Sequence, residues 1–174
     1  MARGSIVTFY SYKGGVGRSF ALANVATILA RWRFKVLCVD WDIEAPGLSY
    51  YFASYLPTDV IGGGLVDMLA GFPDSPGSQL PWNSYATTMN LPGVAAIDLI
   101  SAGQRDDGYA ARVQALNWSE MYSQGLGSAL EQMCLEIREA YDFILIDGRT
   151  GVTDFGGIIT AQLPDILAFP VYCK

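Results

Sequence analysis

Histidine is absent from this chain, and cysteine and charged residues are scarce. Without histidine the chain has no His-based catalytic triad, no histidine metal ligand and no ordinary pH switch. The three cysteines, Cys38, Cys134 and Cys173, are far apart and show no CxxC spacing, so we expect reduced thiols in a cytoplasmic protein and no zinc site. The sequence also lacks a membrane-spanning apolar run and the apolar core of a signal peptide.

What remains is a globular composition: 51% of the 174 residues are hydrophobic and 16% are charged. The formal net charge is −6 and the pI is about 4.5, so the surface repels phosphate backbones. The cations Arg31, Arg33 and Lys35 cluster at a predicted helix end, where they complement the helix dipole. We therefore expect neither direct DNA binding nor membrane binding by this segment.

Hydrophobic patterning divides most of the chain into alternating strands and helices. A β-branched and aromatic run at Ser5–Ser11 predicts a buried strand, and apolar residues at helical spacing predict a helix over Ser19–Trp32 directly after it. The next strand, Lys35–Asp40, completes a βαβ unit with parallel strands. Further strands are predicted at Val94–Gly103, Asp142–Asp147 and 165–173, and further helices at 49–56, Gly64–Gly71, Gly127–Tyr141 and 156–163.

This alternation predicts an α/β fold, with a three-layer, doubly wound and mostly parallel sheet. The length fits a single domain over residues 1–174. Prolines and glycines are frequent within residues 56–93, so we expect an irregular excursion from the sheet there.

The stretch SYKGGVGRS, Ser11 to Ser19, has the composition of a phosphate-binding loop. It follows a predicted strand and opens a predicted helix, which is the context that lets backbone N–H groups wrap phosphates. It departs from the pattern GxxxxGK[ST], because Tyr12 replaces the first glycine and Arg18 replaces the lysine. A dinucleotide fingerprint also fails, because Phe20 stands where glycine is required. The alternative is a glycine-rich turn with two exposed cations.

KGGVGRS resembles the deviant phosphate loop of the ParA/MinD family of ATPases, normally KGGVGKT, and more closely a variant branch written KGGVGR or KGGTGR. The family has an additional lysine, matched by Lys13, that reaches across a homodimer to the partner's ATP. Arg18 keeps the charge but is bulkier and planar, so we expect ATP binding to survive and hydrolysis to be slow or altered. The resemblance implies nucleotide contacts from Lys13, Gly14, Gly15, Val16, Gly17, Arg18, Ser19 and Phe20.

The segment VLCVDWDIEAPGL resembles the family's A-prime segment, typically VLLVDLDPQGN. By that resemblance Asp42 positions or activates the attacking water, and Asp40 lies near the Mg²⁺ shell. A carboxylate at the carboxyl end of a parallel strand, beside the loop, is where ligand chemistry occurs in such sheets. Strand-end capping explains either carboxylate alone, but explains the pair less well. Residues 43–46 differ from the family pattern, and Glu44 among them has no assigned role.

The segment YDFILIDGRTG resembles the Walker B and switch II segment, typically YDxIIIDxPP. Asp147 follows four apolar residues, so it is predicted to end the strand that flanks the loop strand and to hold Mg²⁺ through water. Arg149, Thr150 and Gly151 stand in place of the usual prolines. The N–H of Gly151 is a candidate γ-phosphate sensor, and Arg149 is either a charge clamp or a surface residue.

Together these matches imply a P-loop NTPase of the ParA/MinD type: an ATP- and Mg²⁺-dependent ATPase that works as a nucleotide-dependent dimerisation switch. The resemblance covers most of the chain. In relatives the base-recognition residues lie further on, so we expect the N-terminal part of a fuller domain or longer protein, followed by a C-terminal effector region or acting with a partner protein. The implied catalytic residues are Lys13, Arg18 and Asp42, and the implied metal residues are Ser19, Asp40 and Asp147.

Two other functions stay open at this stage. In one, Arg18 has disabled turnover and the chain is an ATP-binding interaction module, although retention of Lys13 and Asp42 counts against it. In the other, the chain is a P-loop kinase or ligase-type transferase. The sequence offers no acceptor pocket for that reaction, since aromatics such as Tyr50 and Tyr51 are more typical of a core or an interface.

Overall fold

The computed structural model of the protein describes residues 3–57, 63–72, 78–148 and 163–170. Within these ranges none of the helices is long and apolar enough to cross a membrane. The strands are β1 (Ser5–Phe9), β2 (Val36–Asp40), β3 (Ala86–Met89), β4 (Ile97–Ile100), β5 (Phe143–Asp147) and β6 (Ile166–Ala168). The α-helices are α1 (Arg18–Arg31), α2 (Leu48–Tyr51), α3 (Leu65–Ala70), α4 (Tyr109–Ala115), α5 (Trp118–Ser123) and α6 (Leu126–Ala140).

The six strands form one sheet in the order β3-β4-β2-β5-β1-β6. All neighbouring pairs are parallel except β3 with β4, which is antiparallel. The predicted α/β, doubly wound and mostly parallel sheet is therefore confirmed. The strand that ends at Asp147 does flank the loop strand, and it lies between β1 and β2.

Both faces of the sheet are buried, as a three-layer arrangement requires. Successive side chains of a strand point to opposite faces. In β2, Leu37 and Val39 accordingly join one hydrophobic cluster, and Val36 and Cys38 join the other. Helix α1 covers the second face, and helix α6 covers the first through apolar side chains that recur at helical spacing: Leu130, Met133, Cys134 and Ile137.

The sequence predicts an irregular excursion over residues 56–93. That prediction is wrong for one segment of this range, which forms an edge strand of the sheet. Residues Ala86–Met89 pair with β4 in an antiparallel register, with Thr87 opposite Leu99. Because prolines and glycines surround this short segment, its sequence pattern did not indicate a strand. Its two threonines favour extended backbone, and the strand forms because β4 offers an unpaired edge. The predicted helix at 156–163 and the last residues of the predicted strand at 165–173 lie largely outside the described residues.

Helix α3 is fixed to the loop that follows β4. The N–H groups of Leu65 and Val66 donate to the carbonyls of Ser101 and Ala102, at 2.8 and 2.9 Å. A helix start has unsatisfied N–H groups, so these bonds anchor the helix. They also bring Gly64 so close to the loop that a Cβ there would lie 2.4 Å from the Ser101 carbonyl oxygen.

Replacing Gly64 with alanine should therefore lower the free energy of unfolding by about 2 to 3 kcal/mol, because backbone atoms have to move to admit the methyl group. Gly71, at the other end of α3, is the matched control. Its backbone is helical and a Cβ there meets only ordinary contacts at 3.7 Å, so Gly71→Ala should be neutral or stabilise by about 0.5 kcal/mol. Urea unfolding of both variants measures the difference, and equal effects would contradict the close packing of Gly64.

Candidate functional site

The loop between β1 and α1 is built around glycines. Gly15 and Gly17 have positive φ values of 75° and 78°, a conformation that other residues rarely adopt. Among the described residues, no atom lies within 4 Å of a Cβ built on Gly14, Gly15 or Gly17, so none of them covers this side of the loop. The loop backbone is thus exposed to any ligand that approaches the end of the sheet.

Helix α1 begins at Arg18 with Gly17 as its N-cap residue. No side chain caps this end, and the first turn contains no acidic residue. The first N–H groups of a helix have no intrahelical partner and carry a partial positive charge, so such an end favours an anion. The loop that the sequence predicts to bind phosphate therefore leads into an uncapped helix start, and its phosphate binding stays a prediction.

Three carboxylates converge beside this loop. Asp40 and Asp147 end adjacent strands and are direct register partners, and Asp147 is likewise the partner of Phe9 at the end of β1. Asp42 follows two residues after β2. All three side chains are buried, with exposed fractions of 0% for Asp40 and Asp147 and 7% for Asp42. Buried carboxylates need partners, because water no longer solvates their charge.

Arg18 is the partner of two of them. Its Nε donates to Asp147 Oδ1 at 2.5 Å, and its Nη2 donates to Asp42 Oδ2 at 2.7 Å. The third nitrogen, Nη1, lies 3.5 Å from the Ser11 hydroxyl oxygen. Burial lowers the pKa of Arg18, but the charges and hydrogen bonds of Asp147 and Asp42 outweigh it and raise that pKa. The arginine thus points into the protein, towards the carboxylates.

Asp40 organises the backbone of the segment that carries Asp42. Its Oδ1 accepts a hydrogen bond from the Asp42 N–H at 3.3 Å, and its Oδ2 accepts one from the Leu48 N–H at 3.1 Å. Burial and the nearby Asp147 charge raise the pKa of Asp40 to about 7. Both oxygens of Asp40 are engaged with backbone, so the structure gives this residue a positioning role. Its predicted role near a metal stays a prediction.

Two further predicted residues, Ser19 and Lys13, have different surroundings. The Ser19 hydroxyl is near the Asp147 carboxylate. Burial raises the pKa of Asp147, whereas the Arg18 charge and the Ser19 hydroxyl lower that pKa. Gly47, which precedes α2, also lies beside the Ser19 hydroxyl. Lys13 is exposed, and its ammonium has no hydrogen-bond or ion-pair partner within the described ranges.

The remaining predicted residues contribute surface or lie outside the description. Val16 is half-buried in the loop. Phe20 is 57% exposed and its ring packs against Tyr51, with centroids 5.9 Å apart. Glu44 is exposed. Arg149 and Gly151 lie outside the described residues, so their predicted roles are untested.

Ser11 and Tyr109 are site residues that the sequence did not reveal. Ser11 is 4% exposed and donates a hydrogen bond to the Lys13 carbonyl, which shapes the start of the loop. The Tyr109 hydroxyl donates to the Ile43 carbonyl at 2.8 Å and so secures the segment that follows Asp42. Tyr109 lies in α4, a part of the chain for which the hydrophobic pattern predicted no element. Its role depends on the tertiary approach of α4, which no local signal encodes.

The described residues contain no group of three or more Asp, Glu, Cys or His side chains arranged to hold a metal ion. One feature nevertheless fits a metal. Among the described residues, the buried Asp147 Oδ2 has no hydrogen-bond partner, and the Ser19 hydroxyl lies near that carboxylate. Mg²⁺ is commonly held by one or two carboxylates, a hydroxyl and substrate phosphates, so the donors present suit a metal that arrives with a nucleotide.

Comparison with solved structures identifies the fold. The chain superimposes on the septum site-determining protein MinD complexed with Mg-ADP from Pyrococcus horikoshii OT3, with a TM-score of 0.68 and 21% identity over 97% of this chain and 58% of that one. It also superimposes on the kinase domain of the Escherichia coli tyrosine kinase ETK, with a TM-score of 0.64 and 17% identity over 97% of this chain and 55% of that one. The chain has the ParA/MinD P-loop fold.

At the sequence level, the chain is 29% identical over 175 residues to the tyrosine-protein kinase ptk of Acinetobacter johnsonii. The match covers 99% of this chain and 20% of that protein. No protein-family model matches. The chain thus spans a fifth of its curated relative and somewhat more than half of each of the two solved structures.

The hydroxyl of Tyr109 gives a test of how the Asp42 segment is held. Tyr109→Phe should lower the free energy of unfolding by about 1 kcal/mol, because the Ile43 carbonyl loses its donor. The matched control is Tyr122→Phe, since Tyr122 is 38% exposed and its hydroxyl has no hydrogen-bond partner in the part of the chain described. That change should stay within about 0.5 kcal/mol. Denaturant unfolding compares the two, and a larger loss at Tyr122 would refute the assignment.

Proposed function

We propose that this chain binds ATP with Mg²⁺ at the loop Lys13–Ser19 and hydrolyses it, as the nucleotide-binding part of a ParA/MinD-type switch ATPase. The observation that carries the proposal is the open glycine loop before α1, placed at the same sheet edge as the buried carboxylates of Asp40, Asp42 and Asp147. A phosphate cradle beside carboxylates supplies what phosphoryl transfer demands, namely positioning and charge.

The similar proteins support the nucleotide and the metal. The MinD structure is a complex with Mg-ADP, and a further neighbour is a complex of a substituted form of Cyanothece McdA with ATP. In this chain Ser19 and Asp147 are the residues that would hold Mg²⁺ together with phosphate oxygens. When bound, the ion would neutralise charge on the phosphates. The unpartnered Oδ2 of Asp147 supports that assignment.

Two of the candidate catalytic residues, Asp42 and Lys13, have distinct roles in this proposal. Asp42 orients a water molecule for attack on the γ-phosphorus, which breaks the bond to the β-phosphate oxygen and releases ADP and phosphate. Lys13 is exposed and unpaired within the described residues, so it is free to meet the nucleotide of a second subunit. Two subunits closing face to face on ATP would then each complete the other's site.

The compartment that we propose for this protein is the cytoplasm.

A second function is favoured by one observation: the match over 99% of this chain is to a tyrosine-protein kinase, and kinase domains share the fold. In that case the γ-phosphoryl group passes to a tyrosine hydroxyl instead of water. Tyr12, Tyr50 and Tyr51 are 74%, 66% and 48% exposed, so acceptor hydroxyls are available on this chain. The third function is that of an interaction module that binds ATP and does not hydrolyse it.

Turnover of γ-labelled ATP by the full-length protein distinguishes these functions. We expect Mg²⁺-dependent release of phosphate, and a loss of at least about 100-fold in Lys13→Ala and Asp42→Asn, because the first removes a transition-state cation and the second removes the water-orienting carboxylate. Matched controls are Lys35→Ala and Asp107→Asn, which change exposed residues outside the site. Both should keep wild-type rates.

Each alternative predicts a different fate for the label. Label on tyrosine identifies the kinase reaction, and bound ATP that persists without turnover identifies the interaction module. Absence of ATP binding at micromolar concentrations would refute all three functions. Binding is therefore measured first, by titration of a fluorescent ATP analogue with and without Mg²⁺.

A further inference from the structure

The guanidinium of Arg18 is directed at oxygen atoms of the protein through all three of its nitrogens. Nε and Nη2 are committed to the carboxylates of Asp147 and Asp42, and Nη1 faces the Ser11 hydroxyl. The side chain is only 7% exposed. A resting Arg18 is therefore turned towards the carboxylates, although in the sequence it stands where the standard loop pattern has its lysine.

The cluster is also short of positive charge. Within the described residues, Asp42 and Asp147 share the single cation of Arg18, Asp40 lies beside them, and Asp147 Oδ2 is buried without a hydrogen-bond partner, with the Ser19 hydroxyl nearby. Removing the counter-ion of a buried carboxylate is costly, so we expect another cation to replace Arg18 when it leaves. A divalent metal that arrives with a nucleotide is such a cation, since Mg²⁺ prefers carboxylate and phosphate oxygens.

We propose that Arg18 is an internal cation that holds the Asp42–Asp147 pair in the nucleotide-free protein and competes with the divalent metal for Asp147. When the metal and nucleotide enter together, the guanidinium gives up Asp147 and turns to the phosphates. This inference rests on the proposed nucleotide site. In this proposal, Arg18 determines when the carboxylates of Asp42 and Asp147 accept a metal ion.

Arginine suits this role for a geometric reason. The two carboxylates are held by different nitrogens of one planar fork, and the same fork can grip two phosphate oxygens. Lysine offers a single nitrogen and bridges the pair less well. The exchange also takes Nη2 away from Asp42 Oδ2, so that this oxygen becomes more open to a water molecule in the loaded site.

The first test uses metal alone, without nucleotide. Thermal unfolding of the full-length protein is followed with 0 to about 10 mM Mn²⁺ for the wild type and for Arg18→Gln. The variant leaves two buried carboxylates unpaired, so its Tm should fall by about 10 °C. Mn²⁺ should restore about 3 to 5 °C at tenfold its Kd in the variant, and it should not change the wild type.

Three further variants control this result. Arg138→Gln removes an arginine that also pairs with a carboxylate at 2.5 Å, Asp165, but far from the loop, so it should lose stability without rescue by Mn²⁺. Arg18→Gln combined with Asp147→Asn should lose the rescue. Arg18→Lys should lie between wild type and Arg18→Gln. Equal stabilisation of the wild type and Arg18→Gln by Mn²⁺, or no rescue in a folded Arg18→Gln, would overturn the proposal.

A second test needs only the wild type and covers the case in which Arg18→Gln fails to fold. The Nε–H of Arg18 is buried against Asp147, so it should give a slowly exchanging ¹⁵N NMR signal, assigned by its loss in Arg18→Lys. Mg-ADP should shift or remove this signal, whereas Mg²⁺ alone should not. A signal that is unchanged in a protein shown to bind Mg-ADP would refute the exchange while leaving the proposed function intact.

Discussion

The ion pairs of Arg18 with Asp42 and Asp147 are the interaction on which the arrangement of the site depends. They join the first residue of α1 to the end of β5 and to the segment after β2, three elements that are distant in sequence. Because all three side chains are buried, these charges are stable only in each other's presence. The helix start, and with it the phosphate loop, is thereby fixed against the carboxyl edge of the sheet.

Register supplies the rest of the geometry. Phe9, Asp40 and Asp147 end three neighbouring parallel strands at the same level, because they are paired directly across the sheet. Backbone bonds extend this alignment beyond the strands: the Trp41 N–H donates to the Asp147 carbonyl, and the Gly148 N–H donates to the Phe9 carbonyl. An edge built in this way presents loop and carboxylates together, as the crevice at the carboxyl ends of parallel strands does in other α/β proteins.

The fold does not decide between the reactions that proteins of this shape perform. Both MinD and bacterial tyrosine kinase domains superimpose on the chain with similar scores, and the chain spans only part of each. Function therefore has to be read from the site. Here the distinguishing residue is Arg18, whose charge neutralises carboxylates in the resting chain. In the exchange that we propose, nucleotide, metal and arginine are linked through one set of oxygens. Hydrolysis, phosphoryl transfer to tyrosine and simple binding share that link and differ in the fate of the γ-phosphoryl group.

The sequence by itself determined the sheet class, most elements and the place of the glycine loop between β1 and α1, because hydrophobic period and glycine placement are local properties. It also placed Asp40, Asp42 and Asp147 at strand ends, where carboxylates meet. It could not give the edge strand Ala86–Met89, which exists only through pairing with β4. Nor could it give the direction of Arg18. Whether a long, charged side chain turns outward to a phosphate or inward to a carboxylate depends on which charges the folded chain buries beside it, and only the tertiary structure decided that.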